Sequence, residues 1–242
     1  MPAASAAGAG RAPGRQDRPR RVRVPEEVTA VRSSDAVDHL VLGAPTLEAG
    51  IAWAEATLGV TPQRGGRHPQ WGTHNALVSL GHGAYLEILA RDPAAAECPA
   101  APLFGLDSVG AAPRLVTWMS RATNVEGIAS AALRAGHDAG RVRGGSRMRP
   151  DGTELTWQVA VPPMRAMGGV IPWPIDWGWS EHPSRTAVRG GTLAWLEVEH
   201  PEPARVRAIL DAMQCEGVGV TQAREPAIVA GIACAKGVVV VR

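Results

Sequence analysis

The sequence predicts an α+β fold: paired βαβββ modules forming curved, mainly antiparallel sheets with helices outside, followed by a shortened third βαββ unit. Two observations predict it. The first is internal repetition. Arg64-Gly65-Gly66 and Gly72-Thr73 return as Arg143-Gly144-Gly145 and Gly152-Thr153, displaced by 79 at the paired glycines (144 − 65) and by 80 at Gly-Thr (152 − 72). The second is element order. Each helical stretch follows one strand while several strands precede the next helix, which argues against a Rossmann-like parallel sheet.

The chain begins with about 34 residues rich in Ala, Gly, Pro and Arg, with Arg11, Arg15, Arg18, Arg20, Arg21 and Arg23 set against Asp17. Too few large apolar side chains are present to pack, so this tail is expected to be disordered. An Arg-rich, acid-poor start is compatible with an organellar transit peptide, but the apolar run of a secretory signal is missing. A simple flexible tail, or a translated stretch of high-GC upstream sequence, accounts for it more economically.

The first module spans about 37–90. Val37 to Gly43 reads as a strand; Leu47, Ile51, Ala54 and Leu58 then recur at helical spacing, with Thr46 as N-cap and Gly59 as stop. Three strands follow. The second module, about 114–178, repeats this with a strand from Leu115 to Ser120 and a helix opening after Asn124, carrying Val125, Ile128, Ala132 and Ala135 before Gly136. Its last strand, Ile171 to Gly178, holds Pro172 and Pro174, which mark it as an edge or an irregular strand. Gly65-Gly66 and Gly144-Gly145 lack the Gly-Lys-Ser/Thr of a phosphate loop and are expected to form turns or bulges that let the sheets curl.

A third unit, 184–242, offers a strand from Leu193 to Glu199 and a helix with Pro203 in its first turn and Val206, Ile209, Leu210 and Met213 on one face. Two β-prone runs follow, Ile228 to Ala235 and Val238 to Val241. A lone βαββ unit buries little core, so it is expected to pack on the first two modules.

Bulk properties exclude several functions. At 242 residues, 45% hydrophobic and 20% charged, the chain reads as globular. Its net charge of +2 owes much to the early arginines, so the folded part is not a nucleic-acid binder by charge. No run approaches the ~20 apolar residues of a membrane span. Cys98, Cys215 and Cys234 are odd in number and far apart, which argues against a disulfide framework or structural zinc and fits a cytoplasmic setting.

The candidate chemistry sits at the two ends of the first module. Strand alternation puts His39 on one face with Val37 and Val41, against Leu40 and Leu42; it puts Glu87 with Tyr85 and Leu89, against Leu86, Ile88 and Ala90. Each strand thus turns an apolar face to a helix and a polar, ligand-capable group to the opposite side. Imidazole nitrogen with carboxylate oxygen suits Zn, Fe, Mn, Ni or Co. A hydrogen-bonded structural histidine and a solvated glutamate are the competing reading.

Asp38-His39-Leu40-Val41-Leu42, then Thr46-Leu47-Glu48-Ala49-Gly50, Leu58-Gly59-Val60, Gly65-Gly66-Arg67-His68-Pro69, Gly72-Thr73-His74-Asn75-Ala76 and Tyr85-Leu86-Glu87, resemble a glyoxalase-like protein of the vicinal oxygen chelate superfamily. The resemblance is close over 38–90 and weaker to about 183, which sets a glyoxalase-like domain at 35–183. It implies a cupped site between paired modules, with metal ligands on the first and last strand of each. It does not imply one reaction, because the superfamily spans isomerases, dioxygenases, lyases and non-catalytic binders. A homodimer is a possible assembly.

Duplication predicts a second ligand pair. The position matching His39 falls on Thr117 or Trp118, neither a good ligand, and the strand matching that of Glu87 offers only Asp176, which would complete a metal set with His39 and Glu87 or cap a turn. His74 and His182 are reserves, as third ligand, general base or backbone hydrogen-bond partner, and Asn75 and His182 are candidate substrate contacts. His74 and Asp176 are the candidate proton carriers. A turn role is expected for His68, and exposure for His82, His137 and His200. Of eight Trp, set against one Tyr and one Phe, Trp173, Trp177 and Trp179 crowd around Asp176, as pocket walls or as core. Two functions follow. One is a divalent-metal-dependent isomerase, lyase or dioxygenase acting on vicinal oxygens. The other is a metal-free protein that sequesters a small molecule between Trp118, Trp173 and Trp177.

Overall fold

The computed structural model describes residues 35–95, 104–149 and 151–242. The arginine-rich tail and Cys98 lie outside them. Two modules with the same element order follow one another. The first is β1 (Val37–Gly43), α1 (Leu47–Leu58), β2 (Gln63–His68), β3 (Thr73–Ser79) and β4 (Tyr85–Arg91). The second is β5 (Arg114–Arg121), α2 (Val125–Arg134), β6 (Arg141–Met148), β7 (Glu154–Val161) and β8 (Trp173–Asp176).

Local signals set the helix bounds. Thr46 Oγ1 accepts from the Ala49 N–H at 3.1 Å and Asn124 Oδ1 from the Gly127 N–H at 2.9 Å, satisfying donors that a first helical turn leaves free. The Gly-Thr echo is a repeated hairpin turn: Gly72 and Gly152 adopt φ of 62° and 83°, left-handed values that a Cβ disfavours.

The strands form one eight-stranded sheet in the order β2-β3-β4-β1-β5-β8-β7-β6, in which β1 runs parallel to β4, β5 parallel to β8, and β1 antiparallel to β5 where the modules meet. The order is symmetric about that junction. The sheet curls until its outer strands approach one another: Arg147 Nη1 on β6 donates to the Gly65 carbonyl on β2 at 2.9 Å, and Gln70 Nε2 donates to the Ser146 carbonyl at 3.0 Å. The sheet is thus nearly a barrel, sealed by side chains where no ladder exists.

Alternation divides each strand between two cores. Leu40, Leu42, Val78, Leu86, Ile88 and Trp118 pack on the helix side, and Val41, Leu77, Leu89, Val159 and Ile175 line the concave side. Val37 breaks the expected pattern by joining the helix side. The β1–β5 register slips between Val37 and His39, so Asp38 is an extra, bulged residue and the face switches across it.

Two expectations about glycine and proline change. Gly65-Gly66 does coincide with a register irregularity in the β2–β3 pair, whereas the β6–β7 ladder runs regularly through Gly144-Gly145. Gly145 instead makes room for the Trp157 indole, which would collide with a Cβ there. β8 is interior, between β5 and β7, despite its prolines; it tolerates them by being short, pairing with β5 only over Met119–Arg121 and with β7 only at Gln158 and Val159.

The third unit forms a separate sheet, β10-β9-β11-β12, from β9 (Thr192–His200), β10 (Gly219–Gln222), β11 (Ala227–Cys234) and β12 (Gly237–Val241), with α3 (Pro203–Ala212) following β9. It holds one more strand than the sequence suggested, the short β10. In this sheet β9 lies parallel to β10, the strand after the helix, and antiparallel to β11. Leu193, Val206, Ile209, Leu210, Ile228 and Ile232 join the core that holds Leu40 and Leu86. His137 and His200 are buried, contrary to expectation, and His200 Nδ1 accepts from the Glu202 N–H at 3.0 Å at the start of α3. Among the described residues no helix is long and apolar enough to cross a membrane.

Candidate functional site

The concave face of the eight-stranded sheet holds a narrow cavity of about 50 Å3. His39 on β1, Glu87 on β4 and Asn75 on β3 meet in its wall. Parallel pairing aligns Val41 with Glu87 and His39 with Tyr85, so the glutamate lies beyond the histidine along the strands and its side chain reaches back. His39 Nε2 stands 3.5 Å from Glu87 Oε2, and Asn75 Nδ2 donates to Glu87 Oε1 at 2.6 Å. Tyr85 stacks on the imidazole, with ring centroids 4.3 Å apart and planes at 20°.

Behind the histidine lies a residue that alternation concealed. Asp38 is fully buried and works as a hub: Oδ1 accepts from His39 Nδ1 at 2.7 Å and from Trp177 Nε1 at 3.2 Å, while Oδ2 accepts from His182 Nε2 at 2.9 Å. Arg121 Nε is 3.8 Å from that second oxygen. Adjacent strand residues ordinarily face opposite ways; the bulge at Asp38 lets it and His39 serve one network.

The imidazole therefore sits between two carboxylates. Burial alone would lower the pKa of His39, but the hydrogen bonds and charges of Asp38 and Glu87 outweigh it and raise the value to about 8. Burial would raise that of Glu87, and the interaction with His39, aided by His68 and Asn75, overrides it and holds the carboxyl down at about 2. Asp38 is likewise held well below the carboxylate range, its burial outweighed by His182 and His39. At neutral pH the trio is an imidazolium between two carboxylates. His68 takes the opposite course: buried, with Arg147 as a nearby cation, it falls to about 4 and is a neutral ring, Nδ1 3.0 Å from Thr73 Oγ1.

The rest of the wall is aromatic and apolar. Trp71, Phe104, Trp157, Trp173 and Trp177 line it with Leu89, Met119, Val159 and Ile175, so the chain's sole Tyr and sole Phe both face this space. Phe104 packs 4.9 Å from Trp173 and 5.8 Å from Trp71, centroid to centroid.

The sequence-derived candidates divide accordingly. His39, Glu87, Asn75, Trp173 and Trp177 line the cavity, and His182 reaches it through Asp38 and edge contacts to Tyr85 and Trp177. Trp118, His74 and Asp176 do not line it. Trp118 points to the helix side, buried, its Nε1 donating to the Val170 carbonyl at 2.8 Å. His74 alternates away from Asn75, so it faces outward. Asp176 is one residue past the inward-facing Ile175, and its Oδ1 accepts from the Gly178 N–H at 2.8 Å in a turn beside an outer groove. A slip of an odd number of residues along a strand changes its face, which is why the best ligand-type side chain was the wrong position. His68 is a buried wall residue rather than a turn residue. Alternation had placed Tyr85 on the face of Glu87, whereas Arg147, Trp71, Phe104 and Trp157 carried no sequence signal beyond residue type.

As a divalent-metal centre the site is short of donors. The β1–β5 register is two-fold about Leu40 and Trp118, pairing His39 with Met119 and Val41 with Thr117, and the pairing of Val41 with Glu87 recurs in the second module as Met119 with Trp173. Thr117 therefore occupies the counterpart of His39, as the sequence displacement indicated, and Trp173 that of Glu87, and neither is a good metal ligand. Among the described residues no group of three or more His, Cys, Asp or Glu side chains could hold a metal ion. The residues present do not fit a resident metal.

Paired βαβββ modules curled around a cupped site define the glyoxalase fold of the vicinal oxygen chelate superfamily. The chain belongs to the glyoxalase-like domain family, whose sequence model matches residues 37–213, from β1 past the end of α3. Among solved structures it is similar to a hypothetical protein from Staphylococcus aureus, with 11% identity, 79% of this chain and 87% of that chain covered, and a TM-score of 0.56. It is also similar to methylmalonyl-CoA epimerase from Mycobacterium tuberculosis, at 19% identity, 58% and 86% coverage and a TM-score of 0.38. Methylmalonyl-CoA epimerase of Streptomyces coelicolor in complex with 2-nitronate-propionyl-CoA gives 16%, 58%, 95% and 0.38. A search of curated protein sequences finds no match.

Proposed function

We propose that this chain binds a small, largely aromatic or unsaturated molecule in the cupped sheet without a resident metal, as a binding or sequestering protein. The observation that carries this reading is that Thr117 and Trp173 stand where the second module would mirror His39 and Glu87, which leaves half of the expected ion site without metal donors. Flat rings on several sides suit a flat ligand. His39, already engaged at both nitrogens, orients rather than ligates.

A divalent-metal-dependent isomerase, lyase or dioxygenase using Zn, Fe, Mn, Ni or Co is the second reading. The approach of His39 to Glu87, on the first and last strand of one module, favours it. It requires a neutral imidazole, because only that form ligates, and so would gain strength as pH rises through about 8. Elemental analysis of protein purified without chelator tests the choice. The binding reading expects far less than one ion per chain, at neutral pH and at pH 9. One ion per chain, lost with His39→Ala or Glu87→Gln while the fold stays cooperative, would overturn it.

A further inference from the structure

We propose that Arg147 makes the cavity selective for an anion, specifically a small aromatic or unsaturated monocarboxylate whose ring lies among the indoles and whose carboxylate pairs with the guanidinium. This deepens the small-molecule reading of the site and rests on it. On β6, Arg141 and Arg143 are exposed, whereas Arg147, further along the same face, is 5% exposed and lines the cavity beside the aromatic rings. The guanidinium spends Nη1 on the Gly65 carbonyl. Among the described residues no carboxylate lies within ion-pair distance of it, whereas Glu87 has His39 as an ion partner, and Asp38 has His39, His182 and Arg121.

The two nearby carboxylates are already engaged, Glu87 by His39 and Asn75 and Asp38 by His39, His182 and Trp177, which leaves the Arg147 guanidinium without a counter-ion of its own. Holding a cation away from water without a counter-ion costs several kcal/mol, and the guanidinium cannot escape that cost by losing its proton. A monoanion supplies that counter-ion, and the planar fork matches a carboxylate with two parallel hydrogen bonds. A dianion would instead bring surplus negative charge close to Glu87. The seam contact to Gly65 explains part of the side chain's position, but that contact needs one neutral donor and no charge.

The test is calorimetric titration of the full chain with a matched pair of probes, 2-naphthoate and 2-naphthamide, which share a ring system and differ in charge. The proposal expects naphthoate to bind about tenfold tighter or more, the range of a charge-assisted hydrogen bond. Arg147→Gln, which keeps a donor for Gly65, should bring the two probes to equal affinity. A readout that needs no variant is the Arg147 side-chain N–H resonance, which should shift with naphthoate and stay in place with naphthamide. Equal binding of both probes to the wild type, a preference that survives Arg147→Gln, or an unmoved Arg147 resonance would overturn the inference and leave the binding reading standing. Binding of neither probe would overturn both.

Discussion

Asp38→Asn should separate the buried charge network from ordinary packing through its pH dependence. The substitution keeps the shape of the side chain and removes the charge that His39 Nδ1, His182 Nε2 and Trp177 Nε1 all address. Breaking one partner of a buried, hydrogen-bonded pair costs about 3–5 kcal/mol. Folding raises His39 from 6.5 to about 8, so its contribution, on the order of 2 kcal/mol, is present in full below the unfolded value and lost as pH climbs through about 8. Asp38 is the larger of the two carboxylate influences on that ring. The stability gap between wild type and Asp38→Asn in urea denaturation should therefore be widest near pH 6 and narrow by about 1 kcal/mol or more at pH 9. NMR titration of the His39 ring should show its pKa falling in the variant. A gap that is the same at both pH values, with the His39 titration unmoved, would refute the network.

Three further outcomes follow from the same geometry. Trp118→Phe removes the donor to the buried Val170 carbonyl, and should cost about 1–3 kcal/mol in chemical denaturation while leaving ligand affinity unchanged, because Trp118 lies on the helix side. At Gly65 a Cβ would run into Asn75 Oδ1, so Gly65→Ala should cost about 1–3 kcal/mol and, by pushing Asn75 off Glu87, raise the glutamate's pKa in an NMR titration. Thr46→Ala, at the cap of α1, should lower stability by about 1 kcal/mol without touching the site.

What the sequence revealed was what is local or periodic. Thr46, Gly59 and Asn124 mark helix ends through chemistry confined to one turn, and the Gly-Thr echo survives because Gly72 and Gly152 close equivalent hairpins. Alternation was enough to bring His39 and Glu87 to one face. It failed wherever a ladder is irregular or the register unknown. The bulge at Asp38 hid a network hub beside His39, and β8, short and proline-rich, was aligned three residues out, the distance from Trp173, the counterpart of Glu87, to Asp176. Arg147 was hidden for another reason: its burial depends on the curl that brings β6 to β2, a contact between strands far apart in the chain.

The central claim is that the cavity binds its ligand without a metal. It is tested most directly by titrating chelator-stripped protein with 2-naphthoate while following binding by calorimetry, then repeating the titration with excess Zn, Fe, Mn, Ni or Co. The account predicts one saturable site per chain whose affinity is the same in every case. Binding that appears only when an ion is restored would contradict it.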